Sequence, residues 1–151
     1  MTLELHWVVK DSLIAYLSRI EDGVIEAIEP AVRTEEGFTF PLNEVASDFN
    51  IEEHTGVLQF LGTAHFAGHW GMMNIHIKDP RIELSSGHGV LSIALGGVLS
   101  PEAHVPFVEL NVVPGSHPLM FTAALTAEGR GVMGEQYKVG QEMNPLTVVA
   151  K

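Results

Sequence analysis

Apolar and polar residues alternate along most of this chain, which is the pattern of strands that bury one face and expose the other. The alternation comes in short runs bounded by glycine, proline, asparagine and serine, the residues that favour turns. The runs cover residues 3–9, 38–41, 58–66, 72–78, 81–84, 90–95, 107–113, 119–125 and 146–149. They predict a mainly β fold, with antiparallel strands in a two-sheet, sandwich-like domain.

One stretch near the N-terminus has the period of a helix instead. Its apolar positions fall at i, i+3, i+4 and i+7, namely Leu13, Tyr16, Leu17 and Ile20. Asp11 or Ser12 suits the N-cap, and residues 21–23 end the helix with a glycine. The sequence therefore predicts one short N-terminal helix. The pattern alone makes Tyr16 a core residue whose hydroxyl lies at the boundary with solvent.

The stretch 57–84 is predicted to be the centre of the domain. Strands 58–66 and 72–78 flank a tight turn at 67–71, where two glycines allow the positive φ of a hairpin. Such a hairpin presents His69 and Trp70 at its tip. Elsewhere, the polar segment 43–53 predicts a loop, and glycine, serine and proline within 96–101 predict a bend.

Composition excludes several classes of protein. The chain has 151 residues, of which 46% are hydrophobic, and this suits a single domain over residues 1–151. It has 19 acidic against 8 basic residues, and the formal charge of -11 argues against binding nucleic acid or anionic membranes. The absence of cysteine excludes a disulfide, a thiolate metal site and a cysteine nucleophile.

The sequence also gives an expectation for the cellular location of the protein. No apolar run approaches the ~18 residues that a membrane helix needs, so no membrane insertion is expected. The first residues lack the basic start and apolar run of a signal peptide. The expectation for the chain as given is therefore a cytoplasmic protein, or a domain of a longer one. The sequence does not determine the oligomeric state.

Motifs for enzymatic chemistry are missing from the sequence, so no enzyme is predicted. No serine lies in a GxSxG elbow, and no glycine-rich loop joins a strand to a helix as in a nucleotide site. His65, His69 and His76 are ligand types that zinc accepts, and a three-histidine zinc site is one hypothesis. Its weakness is geometric, because the three are predicted at a strand end, in the turn and on the return strand.

The combination of a tyrosine on the predicted helix and a histidine in the predicted turn suggests a different hypothesis. A phenolate is a hard anionic ligand that suits ferric iron in haem. The charge of the iron and a histidine hydrogen bond both favour this anion over the phenol, whose ordinary pKa is about 10. The porphyrin also needs an apolar slot, for which the candidates are Phe38, Phe40, Trp70, Met72 and Met73. Spacing alone does not favour this hypothesis over a core tyrosine.

Four segments resemble those of a known family. The first runs from Trp7 to Tyr16, the second is the FTFP motif at 38–41, the third spans 57–80, and the fourth runs from Tyr137 to Leu146. In this order and at these distances they resemble the HtaA domain, the haem-transport-associated module of actinobacterial haem-uptake proteins. The resemblance covers nearly the whole chain.

The resemblance implies a mostly antiparallel β domain that binds one haem b (iron protoporphyrin IX). It places the iron ligand at Tyr16 and the histidine that hydrogen-bonds this ligand at His69, with His65 as the rival assignment. Tyr137 matches a second family tyrosine and is expected to support the site, unless it is only packed at a turn. The predicted cofactor-binding residues are Tyr16, His69, His65, Phe40, Trp70, Met72 and Tyr137.

The function implied is haem uptake, relay or storage, with haem and other haem-carrier proteins as partners. A single anionic oxygen ligand favours ferric over ferrous iron, so reduction is a route of release. Two departures motivate an alternative, a binding or assembly module of this fold that has lost haem. Family members are usually exported or anchored, and Trp70 stands where a small polar or acidic residue is common. A tryptophan there either packs on a porphyrin or fills its slot.

Overall fold

A computed structural model describes residues 2–95 and 103–151 of the chain. The elements within them are β1 (Leu3–Trp7), α1 (Asp11–Arg19), β2 (Val24–Ile28), β3 (Val32–Thr34), β4 (Gly37–Pro41), β5 (Asp48–Asn50), β6 (Thr55–Gln59), β7 (Thr63–Gly68), β8 (Met73–Lys78), β9 (Arg81–Ser85), β10 (His88–Ala94), β11 (His104–Val112), β12 (Leu119–Leu125), α2 (Ala127–Val132) and β13 (Glu142–Ala150). A 3-10 turn at His69–Gly71 connects β7 to β8. The bend predicted within 96–101 lies outside the described residues. Neither described helix has the length and apolar character needed to cross a membrane.

Two antiparallel sheets make up the fold. The larger has ten strands in the order β3-β4-β1-β13-β12-β11-β10-β9-β6-β5, and the smaller has the order β2-β7-β8. The large sheet is curled, and a bridge between Leu42 and Phe60 joins the segments that follow β4 and β6, next to its opposite edges. The prediction of a mainly β, antiparallel, two-sheet domain is confirmed.

The alternation in the sequence marks the faces that are buried. In β12 the apolar positions Leu119, Phe121, Ala123 and Leu125 are all at most 7% exposed. The Phe38 ring in β4 meets the Phe66 ring in β7 edge-on, with centroids 5.5 Å apart, so an aromatic pair joins the two sheets. The fully buried rings of the core are Trp7, Phe38, Phe40, Phe60, Phe66, Phe107 and Phe121.

The chain changes sheet at Gly62, which corrects the prediction of one continuous strand over 58–66. β6 belongs to the large sheet and β7 to the small one. Gly62 has a φ of 110°, and a Cβ built there would lie 2.4 Å from the backbone nitrogen of Ala31. Its N–H donates to the Asp79 carboxylate at 2.9 Å, and the Asp79 N–H donates to its carbonyl at 2.8 Å. These bonds fix the point where the hairpin β7–β8 leaves the large sheet.

Helix α1 confirms the predicted helix, but its N-cap is Lys10 and not Asp11 or Ser12. Lys10 has extended backbone and makes no side-chain cap. The cap comes from β13, where the side-chain oxygen of Asn144 accepts the N–H of Asp11 at 2.8 Å. A cap supplied from a distant strand leaves no signal beside the helix.

Helix α2 corrects the prediction of a single helix. Its glycines suggest a turn, yet the hydroxyl of Thr126 accepts the N–H of Gly129 at 2.8 Å and caps the helix. A Cβ on Gly129 would lie 2.2 Å from the carbonyl oxygen of Phe107 in β11. The glycine is therefore the residue that lets α2 lie directly on β11.

One strand was not predicted, and another is longer than predicted. β5 lies within the segment 43–53, predicted as a loop, where it pairs with β6. β13 begins at Glu142 and includes Pro145, because β12 pairs with it as far as Glu142, whereas β1 pairs only with residues 146–150. The register with β12 shifts between Phe121 and Ala123, opposite Pro145, and such an irregularity accommodates a residue without an N–H.

We expect Gly62→Ala to lower the free energy of unfolding by about 3 kcal/mol, because the new methyl group meets backbone and the φ is unfavourable for alanine. Gly115→Ala is the matched control, since Gly115 also has positive φ (71°) but its Cβ would meet nothing within 4 Å. That variant should lose about 1 kcal/mol. Urea denaturation of both variants and the parent measures the difference. Equal losses would contradict the steric argument.

Candidate functional site

Helix α1 packs against β2 and β7, and its orientation sets the position of Tyr16. Leu13 and Leu17 are buried beneath the helix. Successive helical residues are about 100° apart around the axis, so Tyr16 falls at the edge of this buried stripe. Its ring is half-buried, and it packs partly against the core. The tyrosine therefore lies at the border between core and solvent.

Gly68, the last residue of β7, lets the helix approach the hairpin. A Cβ at this position would lie 2.9 Å from Cδ1 of Ile20 and 3.1 Å from Cδ2 of Leu17. Its φ of 179° is extended, so the missing side chain matters here and not the backbone conformation. Gly23 acts similarly where the chain leaves the helix, because its Cβ would lie 1.9 Å from the carbonyl oxygen of Leu17. Gly68 thus allows close contact between β7 and α1, and Gly23 allows the turn before β2 to lie against the end of the helix.

The tip of the hairpin has an unusual backbone that Asp22 helps to hold. His69, Trp70 and Gly71 have φ values of 53°, 57° and 89°. A left-handed conformation costs a non-glycine residue about 1 kcal/mol. The Asp22 carboxylate, in the turn after α1, accepts the N–H of Trp70 at 2.5 Å. The turn that ends the helix therefore fixes the tip that carries the histidine.

These elements bring Tyr16 and His69 together. The Tyr16 hydroxyl oxygen lies 2.5 Å from Nε2 of His69, and the ring centroids are 5.6 Å apart. Either the phenol donates to a neutral imidazole, or an Nε2–H donates to a phenolate oxygen. The same hydrogen bond therefore serves both protonation states of the tyrosine. A phenol oxygen in this setting can act as an anionic ligand for a hard cation.

The predicted apolar slot does not form as expected. Phe38, Phe40 and Met73 are 1%, 0% and 5% exposed, because alternate residues of β4 and β8 join the core. Phe40 thus has no surface to offer a ligand beside Tyr16, which corrects its prediction as a cofactor contact. Trp70 and Met72 are 83% and 91% exposed and project from the tip that carries the histidine. They form the apolar surface of this region.

His65 is placed differently from His69. Gly68 faces α1, so the alternation of β7 turns His65 to the opposite face of the small sheet. Its Nδ1 lies 2.7 Å from Oε1 of Glu26, and its Nε2 lies 2.7 Å from Oδ1 of Asn74. The residue thus has two partners of its own, and of the two candidate histidines His69 is the one that meets the tyrosine hydroxyl.

A row of three ionisable side chains crosses the small sheet at this level. β2, β7 and β8 contribute Glu26, His65 and His76, which pair directly in register and which we call the outer row. The two imidazole rings stack with centroids 4.2 Å apart and an interplanar angle of 16°. His76 lies on the return strand as predicted, but His65 lies within β7 and not at a strand end, so the two histidines face each other directly.

The three-histidine zinc site is not supported. His69 lies in the turn, whereas the other two histidines stack face to face on the outer surface of the strands. Within residues 2–95 and 103–151, no group of three His, Cys, Asp or Glu side chains is placed to hold a metal ion. The hairpin separates the histidines because strand alternation and the turn send them in different directions.

Tyr137 lies in the segment between α2 and β13. It is half-buried and packs partly against the core. This is the packed position that was considered for it, and a supporting role at the Tyr16–His69 pair stays a prediction.

Sequence reasoning does not identify two residues that position the pair. Asp22 looks like the polar end of a helix, and Gly68 looks like a turn glycine. Neither pattern shows that the aspartate reaches the hairpin tip or that the glycine faces the helix. The available signal is indirect: a glycine immediately before a histidine that follows a strand, and an aspartate immediately before the glycine that ends the helix.

The chain is similar in sequence to a known family and in fold to several solved structures. The family model described as Htaa matches residues 2–149. The solved C-terminal domain of HtaA from Corynebacterium glutamicum has a TM-score of 0.80 and 20% identity, covering 98% of this chain and 94% of that one. Its N-terminal domain gives 0.76 and 16%, covering 98% and 95%. The heme-binding protein HtaB of that organism gives 0.69 and 17%, covering 98% and 96%. No curated protein matches the chain.

The outer row should make stability depend on pH. The pKa of His76 is lowered, first by partial burial and then by the neighbouring His65, with Lys78 adding to this and Glu26 opposing it. The unfolded chain therefore binds this proton more readily, so stability is lost as pH falls through the unfolded value of about 6.5. We expect His76→Gln to reduce the difference in melting temperature between about pH 7.5 and about pH 5.5.

His117→Gln is the control for that measurement, because His117 is an exposed histidine in the connection between β11 and β12. It should leave the pH dependence as it is in the parent. A His76→Gln variant that melts with the parent's full pH dependence would show that the stacked pair does not govern it.

Proposed function

The chain belongs to the HtaA family, and on that premise we propose that it binds haem b with the phenolate oxygen of Tyr16 as the iron ligand. The observation that carries the proposal is the 2.5 Å contact between the Tyr16 hydroxyl oxygen and Nε2 of His69. The fold likeness to HtaB, a heme-binding protein, supports haem as the ligand class. The proposed role is haem relay or storage, without catalysis.

The residues at the pair fit such a ligand. The tyrosine is half-buried rather than sealed in the core, so its oxygen lies at a border that a planar ligand can reach. Trp70 and Met72 supply exposed apolar surface at the same hairpin tip. Aromatic and thioether side chains are suited to contact with a porphyrin face. In this proposal they take the place of the buried Phe38 and Phe40.

Ligation requires Tyr16 to lose its phenolic proton. Ferric haem supplies the positive charge that stabilises the resulting anion. Nε2 of His69 is in position to take the proton at 2.5 Å. If the neutral imidazole starts with its proton on Nδ1, that proton then passes to solvent, and the new Nε2–H donates to the phenolate. Binding therefore releases one proton, and His69 stays neutral while it stabilises the anion.

The proposed partners follow from this chemistry. An anionic oxygen ligand favours ferric over ferrous iron, so reduction weakens the bond to Tyr16 and offers a route of release. A carrier that receives or delivers haem in this way needs contact with other haem-carrier proteins, and we propose these as partners.

A second candidate function is a binding or assembly module that has this fold without haem. The burial of Phe38, Phe40 and Met73 favours it, because these residues leave no enclosed apolar slot. The exposed Trp70 and Met72 would then serve contact with another protein. Haem uptake by the purified protein distinguishes the two candidates.

Haemin titration followed by absorbance tests the ligand. The parent should bind one haemin, and Tyr16→Phe should lose the spectrum of a phenolate-ligated ferric haem. His69→Ala keeps the ligand but loses the hydrogen bond, so its affinity should fall about 10- to 100-fold. His65→Gln is the matched control and should bind as the parent does. An unchanged spectrum and affinity in Tyr16→Phe would exclude Tyr16, and a parent that takes up no haemin would favour the second candidate.

Asp22 offers a test of how the histidine is positioned. Asp22→Ala removes the acceptor for the Trp70 N–H and should weaken haemin binding roughly fivefold, equivalent to about 1 kcal/mol for one hydrogen bond. Asp22→Asn keeps an acceptor oxygen and should lose less. Thermal melting of both variants separates a local effect from unfolding. If the alanine variant binds haemin as tightly as the parent, the tip does not depend on this bond.

A further inference from the structure

We propose that Arg19 binds a propionate of the haem held at Tyr16, so that the site selects porphyrins with free carboxylates; this rests on the function proposed above. Arg19 is the last residue of α1 and is exposed. It lies three residues after the proposed iron ligand on the same helix. Three lines of evidence support this assignment: helix geometry, the partners of the other cations, and net charge.

Helix geometry puts Arg19 beside Tyr16. Residues at i and i+3 are neighbours on one face, with Cβ atoms about 6 Å apart. Leu13 and Leu17 define the buried side of α1, and rotation of about 100° per residue carries Arg19 from Tyr16 toward solvent, away from that side. Helical side chains also lean toward the N-terminus of their helix. The Arg19 guanidinium is therefore expected to extend back toward the turn of α1 that contains Tyr16, on the solvent-exposed side of the tyrosine.

Arg19 is available for an anion. Its guanidinium makes no ion pair with a carboxylate within residues 2–95 and 103–151. The other arginines are engaged: Arg81 pairs with Glu83 at 2.9 Å, Arg130 pairs with Glu135 at 3.3 Å, and Arg33 donates to the carbonyl of Ile25 at 3.0 Å.

Two lysines near α1 and the hairpin are less well placed than Arg19 to reach a ligand bound at Tyr16. Lys78 ends β8 at the far end from the hairpin tip, and six strand residues span about 20 Å. Lys10 precedes α1 as its N-cap and does not share the exposed border of Tyr16. Of these three cations, only Arg19 is one helical turn from the proposed ligand.

The net negative charge of the chain makes a contact between Arg19 and a propionate important for binding. The chain carries a formal charge of -11, and Glu21 and Asp22 follow Arg19 directly. A porphyrin with two ionised propionates is repelled by such surroundings unless a cation lies beside it. Arginine suits this role because its planar fork matches a carboxylate with two parallel hydrogen bonds. The cation therefore offsets part of this repulsion and favours a dicarboxylate porphyrin at this border.

The test compares two porphyrins in the parent and in three variants. Haemin and its dimethyl ester, which lacks free propionates, are titrated in the same detergent-containing buffer into the parent, Arg19→Ala and Lys78→Ala. We expect Arg19→Ala to bind haemin about fivefold more weakly, as for a partly exposed charge pair, and to bind the ester as the parent does. Lys78→Ala removes the same charge elsewhere and should change neither affinity. Arg19→Lys should recover part of the loss, and added salt should weaken haemin binding to the parent more than to Arg19→Ala.

The outcomes separate this inference from the proposed function. A parent that binds haemin through Tyr16, with Arg19→Ala binding equally well, overturns only the role of Arg19. Equal weakening toward haemin and the ester also overturns it, because the effect then lies in packing or folding and not in the propionates. A parent that binds no haemin, or that binds it unchanged in Tyr16→Phe, overturns the proposed function and this inference with it.

Discussion

The close approach of helix α1 to the hairpin β7–β8 is the constraint on which the candidate site depends. A Cβ on Gly68 would press against the side-chain ends of Leu17 and Ile20, and a Cβ on Gly23 would collide with the backbone carbonyl of Leu17. These glycines allow the turn after the helix and the end of β7 to lie close to α1, so that a tyrosine on its border reaches a histidine in the turn. Asp22 adds the second restraint, because its bond to the Trp70 N–H couples the end of the helix to the tip. The spacing of the pair is thus built into the packing of the elements that carry it.

The same constraint explains why only one of the hairpin histidines meets the tyrosine. A strand sends neighbouring side chains to opposite faces, so the face that receives α1 at Gly68 cannot also present His65. The histidine at 65 is held by Glu26 and Asn74 and stacks on His76. The one at 69 lies beyond the strand, where a left-handed backbone carries it back toward the helix. The turn conformation, and not the distance along the sequence, decides which imidazole has access to the phenol.

Period-two alternation was sufficient to predict the strands that bury one face along their whole length, such as Leu119–Leu125. The apolar stripe of α1 was likewise sufficient to predict that helix. It failed where tertiary contacts decide the outcome. Alternation continues through Gly62 although the chain changes sheet there, and the reason lies in Ala31 and Asp79, which are remote in sequence. Helix α2 was missed because its Gly129 is required by the backbone of β11. For the candidate site, the ordered motifs suggested Tyr16 and His69, whereas pattern could not show that Phe40 faces the core. Residue type is visible in a sequence, but the side to which a residue turns depends on its neighbours in space.

An open site at a helix border bears on which haem-related role fits this chain best. Apolar burial stabilises a bound ligand by about 25 cal/mol for each Å² removed from water, and a pocket that encloses both faces of a porphyrin uses this term most fully. Here Phe38, Phe40 and Met73 belong to the core, and the exposed apolar surface at the tip consists of Trp70 and Met72. The proposed affinity for haem therefore depends less on apolar burial than on one oxygen ligand, its hydrogen bond and a nearby cation. Protonation of the phenolate or reduction of the iron weakens the bond to the oxygen ligand by a local change, without opening the fold. Since affinity differences among related complexes lie mostly in the rate of dissociation, such a site favours exchange with a partner over long retention. Among the proposed roles, relay is more consistent with this arrangement than storage.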